Sequence, residues 1–293
     1  MERFIKQIDD QIQANQGKNI FLENNMNELK FIDGTIETIL NIHELPADYE
    51  PVLIDYASEK AIEEFCRINQ YYTFNTKSKT ELGEIYRELL HRLKIKRDSI
   101  KFIEKQHYSN LKKWLQKNNS FAEQIYLTEE PQITPVNCFE YSPEIQLEIL
   151  KIIPESLSLP VLDIGCGKEG NLVRYMSQLG INAKGIDRFS FSDDCLIHAD
   201  WLEYDYGVEK WGTIVSNLGF SNHFTHHHLR KDGNYIGYAR KYMEILNSLK
   251  PGGKFHYAPA IPFIEIHLKN KQFLVETFEI ADSTYKTTII TRL

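Results

Sequence analysis

Long apolar runs are what this sequence most plainly lacks. No stretch approaches the roughly 20 continuous apolar residues that a bilayer-crossing helix needs. The opening residues MERFIKQIDD are charged throughout, unlike a signal peptide, so the cytoplasm is the expected compartment. Cysteine is scarce as well. The four in 293 residues, Cys66, Cys138, Cys166 and Cys195, stand far apart with no CxxC pair. That spacing argues against a disulfide framework and a zinc knuckle, and predicts reduced, mostly buried thiols. No internal repeat or low-complexity tract occurs. Five of the ten prolines (Pro131, Pro135, Pro143, Pro154 and Pro160) fall between residues 128 and 160, which marks a linker between two domains.

Basic charge is also short, at a net −7, and the deficit is local. Residues 1 to 90 carry 17 acidic and 9 basic side chains, whereas residues 151 to 293 carry 16 of each. The N-terminal part reads as helices. Phe4, Ile5, Ile8 and Ile12 predict one; Met26, Leu29, Ile32, Ile36, Ile39 and Leu40 a second, stopped before Pro46. A third is expected from about Asp48 to Asn69, and a fourth from near Lys79 through Leu93. Arg92 to Lys117 interleaves nine basic residues with Leu93, Ile95, Ile100, Phe102, Ile103, Leu111, Trp114 and Leu115. Such a basic amphipathic helix suits a polyanion, or a solvated face laid over its own core.

The most informative stretch is Ser156 to Met176, SLSLPVLDIGCGKEGNLVRYM. An apolar run holding a single acid, Asp163, ends at Gly165, Gly167 and Gly170, and apolar residues at helical spacing follow from Leu172. This predicts a buried strand, a glycine turn, and a helix whose N-terminus faces the turn. The glycines satisfy the dinucleotide pattern GxGxxG. Asp163, however, would repel a pyrophosphate and favour a cationic ligand. With that acid the stretch resembles the first motif of the class I S-adenosylmethionine-dependent methyltransferases: acid, any residue, Gly, any residue, Gly.

The resemblance extends through the C-terminal half. A second strand, Ile181 to Ile186, ends at Asp187. A third, Cys195 to Ala199, is followed by Asp200 and Trp201. Only Arg188 to Asp194 separates them, too few residues for the usual crossover helix, so a loop with Phe189 and Phe191 is expected there. The fourth strand, Gly212 to Asn217, leads into NLGFSNHFTHHH. A helix from Asn234, using Ile236, Ala239, Met243, Leu246 and Leu249, stops at LKPGG before strand Lys254 to Ala258, and two β-rich runs close the chain. Carried onto these residues, the resemblance implies S-adenosylmethionine as cofactor. It would be held by Asp163, Gly165 and Gly167 around the methionine part, Asp187 at the ribose, and Asp200 and Trp201 at the adenine, with Cys166, Arg188 and Asn217 also among the cofactor-binding residues.

On the acceptor side, Phe220, His226 and Tyr257 are candidate substrate residues. His223 and His227 are candidate bases, since a histidine can take a proton from a hydroxyl acceptor. At i, i+4 on a helix those two could instead hold a metal, or the cluster could be a solvated polar loop; no metal is expected. The expected fold is α/β: a doubly wound, mostly parallel seven-stranded sheet with an antiparallel last strand, preceded by a mostly helical N-terminal domain. Expected domains are residues 1–130, helical; 131–154, a Pro-rich linker with a bridging helix from Pro143 to Ile153, beside which Tyr141 could help close over the cofactor; and 155–293, the cofactor-binding domain. The expected activity is methyl transfer to a small molecule, through an oxygen or a nitrogen, with no membrane partner. Alternatives are methylation of RNA, DNA or protein through residues 92–117, an NAD-linked oxidoreductase, and a non-catalytic S-adenosylmethionine sensor.

Overall fold

Val161, Leu162 and Ile164 lose all solvent contact, and the strand they form, β1 (Val161–Ile164), is the centre of a sheet. The computed structural model describes residues 1–22, 29–42, 45–95, 97–122, 141–189, 191–281 and 283–293. Two compact units divide the chain, Met1–Cys138 and Phe139–Leu293. Met26, Pro131, Pro135 and Cys138, used in the sequence reading, lie outside the described residues.

The first unit is built of α1 (Glu2–Ala14), α2 (Asp33–Leu40), α3 (Glu50–Ile68), α4 (Thr76–Ile95) and α5 (Ile100–Asn118). Its core gathers Leu82, Trp114, Leu115 and Phe74, with the Trp114 ring stacked on Phe74 at 4.8 Å. Two expectations need correction. Helix α2 starts at Asp33, and Leu29 to Ile32 lie before it: the Phe31 N–H donates to Glu104 and the Ile32 N–H to Gln11, so side chains satisfy donors that a helix would otherwise have to satisfy. The basic stretch 92–117 is two helices, parted near Asp98, with Ser99 capping α5 by accepting from the Phe102 N–H. Several of its cations are paired: Arg92 with Glu88 and Asp98, Lys94 with Glu50, and Lys117 with Glu81.

In the second unit α6 (Pro143–Leu150) is capped by Ser142 and stopped by Lys151 at φ 54°, so the bridging helix ends three residues earlier than expected. It buries Gln146 and Leu150, leaving Ile145 exposed. After β1 come α7 (Asn171–Gln178), β2 (Ala183–Asp187), β3 (Leu196–His198), β4 (Trp211–Asn217), α8 (Phe220–His228), α9 (Tyr235–Ser248), β5 (Leu249–Ala258), α10 (Pro262–Glu265), β6 (Phe273–Glu279) and β7 (Lys286–Arg292). The strand order is β3-β2-β1-β4-β5-β7-β6. Strands β1 to β5 pair in parallel, and β7 lies antiparallel between β5 and β6.

This is a doubly wound, mostly parallel seven-stranded sheet with its last strand reversed. No helix lies among the described residues between β2 and β3. Strand β5 begins five residues earlier than expected, at Leu249, and takes in the LKPGG turn with Gly252 at φ 76°. Helix α9 packs through Tyr238, Tyr242, Ile245 and Leu246, while Ile236 points out; the tyrosines, not the isoleucine, set its inner face.

Candidate active site

In open parallel sheets ligands sit beyond the carboxyl ends of the strands, where the strand order reverses. Here that point lies between β1 and β4. Gly165 and Gly167 carry the chain out of β1 at φ 80° and 78°, and Gly170 starts α7 at φ 60°, a region that side chains enter at a cost. Cys166, between them, packs its sulfur under the second strand: a methyl group on Gly185 would lie 2.7 Å from its Sγ. Asp187, at the end of β2, ties down this turn. One carboxylate oxygen accepts from the Gly167 N–H at 2.9 Å, the other from the Arg188 N–H at 2.7 Å.

Asp163 is 3% exposed, and no described residue donates a hydrogen bond to its carboxyl. Burial, together with the neighbouring Asp187, pushes its pKa up to about 8. Burial raises Asp187 too, against the opposing pull of Arg188 and the two backbone donors. A carboxyl held in this way is stabilised as an anion by a cation or a hydrogen-bond donor that comes to it.

Across the switch point, β4 meets α8 through a strained elbow. Leu218 sits at φ 54° and Gly219 at φ −94°, ψ −94°. The elbow is stitched to its neighbours: Ser216 Oγ donates to the Ile164 carbonyl and accepts from the Phe220 N–H, while the Leu218 N–H donates to Ala258. Asn217 Oδ1, at the strand tip, is buried without a hydrogen-bond partner among the described residues. Strain and an unused acceptor at one strand end are marks of a functional position.

Asp200 accepts from the Leu202 N–H and turns the chain, which lays the Trp201 ring on the glycine turn; a methyl group on Gly165 would lie 2.9 Å from its Cζ3. The Tyr238 hydroxyl reaches His223 Nδ1 at 3.4 Å. The rings of Trp201 and His223 meet edge to face at 4.7 Å. Tyr238 and Ser216 are site residues that sequence reasoning missed, since one looked like helix packing and the other like an ordinary strand position.

The histidine cluster is a helix rather than a solvated loop. His223 and His227 face inward, because Phe224 and Phe220 pull the same side of α8 into the core. Burial holds His223 well below its usual pKa, with Arg188 adding to the effect. Burial lowers His227 to about 4, and its ring stacks on Tyr238. Burial likewise lowers His226. No group of three metal-ligating side chains occurs among the described residues. Phe220 and Tyr257 are each 1% exposed and belong to the core. Tyr257 donates to Glu265 at 2.6 Å, and its hydroxyl also meets that of Tyr242 at 2.9 Å, so it presents nothing to a substrate.

No protein-family model matches the chain, and no curated protein does. Solved structures similar to it include a TehB-like SAM-dependent methyltransferase from Corynebacterium glutamicum, at 15% identity and a TM-score of 0.38 over 63% of this chain and 99% of that one. Another is the N-methyltransferase NodS from Bradyrhizobium japonicum in complex with S-adenosylhomocysteine, at 12% and 0.36 over 51% and 84%. A third is the Burkholderia thailandensis 1,6-didemethyltoxoflavin-N1-methyltransferase with bound 1,6-didemethyltoxoflavin and S-adenosylhomocysteine, at 16% and 0.31 over 45% and 69%.

Proposed function

We propose that the Phe139–Leu293 unit binds S-adenosylmethionine and catalyses transfer of its methyl group to a small-molecule acceptor. The observation that carries this reading is Asp163, a buried carboxyl without a donor beside the glycine turn, raised in pKa until a cation joins it. The cofactor's ammonium group supplies that cation, whereas a pyrophosphate in the same place would be repelled. The reversed β7 supports the same reading, because a dinucleotide-binding sheet continues with parallel strands.

When bound, the cofactor supplies an electrophilic methyl group on a sulfonium sulfur. Asp163 and the Asn217 carbonyl would hold cationic and N–H groups. Asp187 would fix the glycine turn and accept from ribose hydroxyls with its remaining lone pairs. Asp200 and Trp201 would lie at the adenine side. His223 is held neutral by burial, so it is already in the form that accepts a proton from an acceptor hydroxyl. Positioning of the two partners would supply most of the acceleration. The paired cations of the 92–117 stretch favour a small acceptor over a nucleic acid.

Calorimetry with S-adenosylhomocysteine and with NADH tests the cofactor, and binding of NADH alone would reverse the reading. Asp187→Ala is expected to weaken S-adenosylhomocysteine binding by about 2 to 4 kcal/mol, through lost charge-assisted bonds and a loosened turn. The acceptor class is read by incubating the protein and methyl-labelled cofactor with fractionated cell extract. Label in the small-molecule fraction is expected. Label confined to nucleic acid or protein would replace the acceptor, and none despite cofactor binding would indicate a sensor.

A further inference from the structure

The helical unit holds a partly open pocket of about 210 Å³ between α1, α2, α3, α4 and α5. Its walls are almost wholly apolar: Ile8, Ile39, Ile54, Ala61 and Leu111 are typical. An empty apolar space of this size is costly to a fold, because the lining atoms forfeit dispersion contacts. Among the polar residues of the wall, Tyr86 and His107 are neighbours. The rings of Tyr86 and His107 lie 5.1 Å apart, and both residues are more than nine-tenths buried, at 9% and 7% exposure. His107 Nδ1 has no hydrogen-bond partner among the described residues, and none of them bonds the Tyr86 hydroxyl. Other polar side chains of the wall are engaged: Tyr108 receives a bond from Asn15 at 2.6 Å, and Glu64 accepts from Gly17 and Arg67. A buried polar atom left unused, as His107 Nδ1 is, costs free energy unless a ligand meets it.

We propose that this cavity is a binding site for a small neutral molecule with an apolar body and one hydroxyl group, a phenol or a short-chain alcohol, whose hydroxyl bonds Tyr86 and His107. A hydroxyl both donates and accepts, so it can take the Tyr86 O–H and give its proton to an imidazole nitrogen. The imidazole is neutral, since burial lowers His107 to about 4, so this part of the wall offers no cation to a carboxylate or phosphate, and Lys18 on the wall is engaged by Asn15. Size follows from volume: an apolar cavity of about 150 Å³ takes benzene, so this one takes about eight to ten heavy atoms. The inference does not depend on methyl transfer by the other unit.

The test uses the full chain and 4-propylphenol, with propylbenzene as the comparison compound, followed by ligand-observed NMR and calorimetry. Saturable binding of 4-propylphenol in the range of roughly tens to hundreds of micromolar is expected, with propylbenzene about tenfold weaker. Tyr86→Phe removes one oxygen and no volume, and should narrow that preference to about threefold or less. Ala61→Leu should abolish binding of both compounds by filling the space, and Ala57→Met serves if Ala61→Leu fails to fold by circular dichroism. Absence of saturable binding to the intact chain would overturn the proposal. So would equal affinity for the two compounds, or undiminished binding by a folded cavity-filling variant.

Discussion

Both units bury histidines, and the contrast between them separates what burial does from what a partner does. In the sheet unit His256 is lowered to about 4 by burial, and its Nδ1 meets the Leu150 carbonyl at 2.9 Å. In the helical unit His107 is lowered to the same value, and its Nδ1 meets nothing among the described residues. Burial fixes the protonation state in each case. The partner decides whether the ring is a strut or is left for a ligand. The carboxyls of the sheet unit repeat the lesson. One oxygen of Glu265 accepts from Tyr257, Thr288 and the Ile261 N–H and locks β5, β7 and α10 together, while Asp163 accepts from no described residue. The units differ in packing too. Around β1 and β4 the side chains of Leu162, Ile214, Tyr242 and Phe255 have no exposure, whereas the helical unit leaves a pocket of about 210 Å³ among its helices.

Three changes break or sharpen that contrast. The largest effect is expected from Gly212→Ala in β4, where a methyl group would lie 2.4 Å from the Ser158 carbonyl carbon and 2.6 Å from the Leu159 nitrogen. Backbone cannot yield as a flexible side chain does, so the sheet unit should lose about 3 kcal/mol or more in urea unfolding. If the helical unit's transition moves equally, the two are one cooperative body and the contrast fails.

A pH scan comes next. The Asp163 carboxyl has a raised folded-state pKa, about 8, so its stability contribution is whole below pH 4 and is lost as pH rises toward 8. The lowered histidines act in the opposite sense as the pH rises through the ordinary histidine range near 6.5, so the Asp163 contribution, up to about 2 kcal/mol between pH 6.5 and 8, is read as the difference between the unaltered protein and Asp163→Asn over that interval. Below pH 6.5 both units should weaken, because His107, His223, His227 and His256 have lowered folded-state values and must charge on acidification. The smallest effect is expected from Ser99→Ala, which removes the α5 cap: about 0.5 to 1 kcal/mol, confined to the helical transition.

How much of this was legible follows from the range of the interactions involved. Strand β1, the glycine turn, Asp187 at the tip of β2, the bare crossover to β3 and the reversed ending could be read because local pattern decides them. The true start of α2 could not, since Glu104 and Gln11 reach it from other helices. The inner face of α9 was misread because tyrosines were discounted beside Ile236. At the site, Asp163, Gly165, Gly167 and Asp187 come together as their spacing suggested. Trp201 could be placed near the proposed cofactor side, but its seat on Gly165 and its edge-to-face contact with His223 bring together three separate segments. The cavity left no trace in the sequence, for a pattern of apolar residues reports which side chains turn inward and not whether they fill the space.

Trp201 carries one further consequence, an optical one. The chain has three tryptophans, and two are sealed in cores, Trp114 in the helical unit and Trp211 in β4. Trp201 alone of the three touches solvent, over the glycine turn and edge-on to His223. Indole emission shifts to the red in contact with water, so the long-wavelength edge of this protein's fluorescence belongs mainly to the proposed cofactor cleft. Trp114 and Trp211 report the two interiors at shorter wavelength, so occupancy of the cleft is separable by colour from emission of the cores, with no added label.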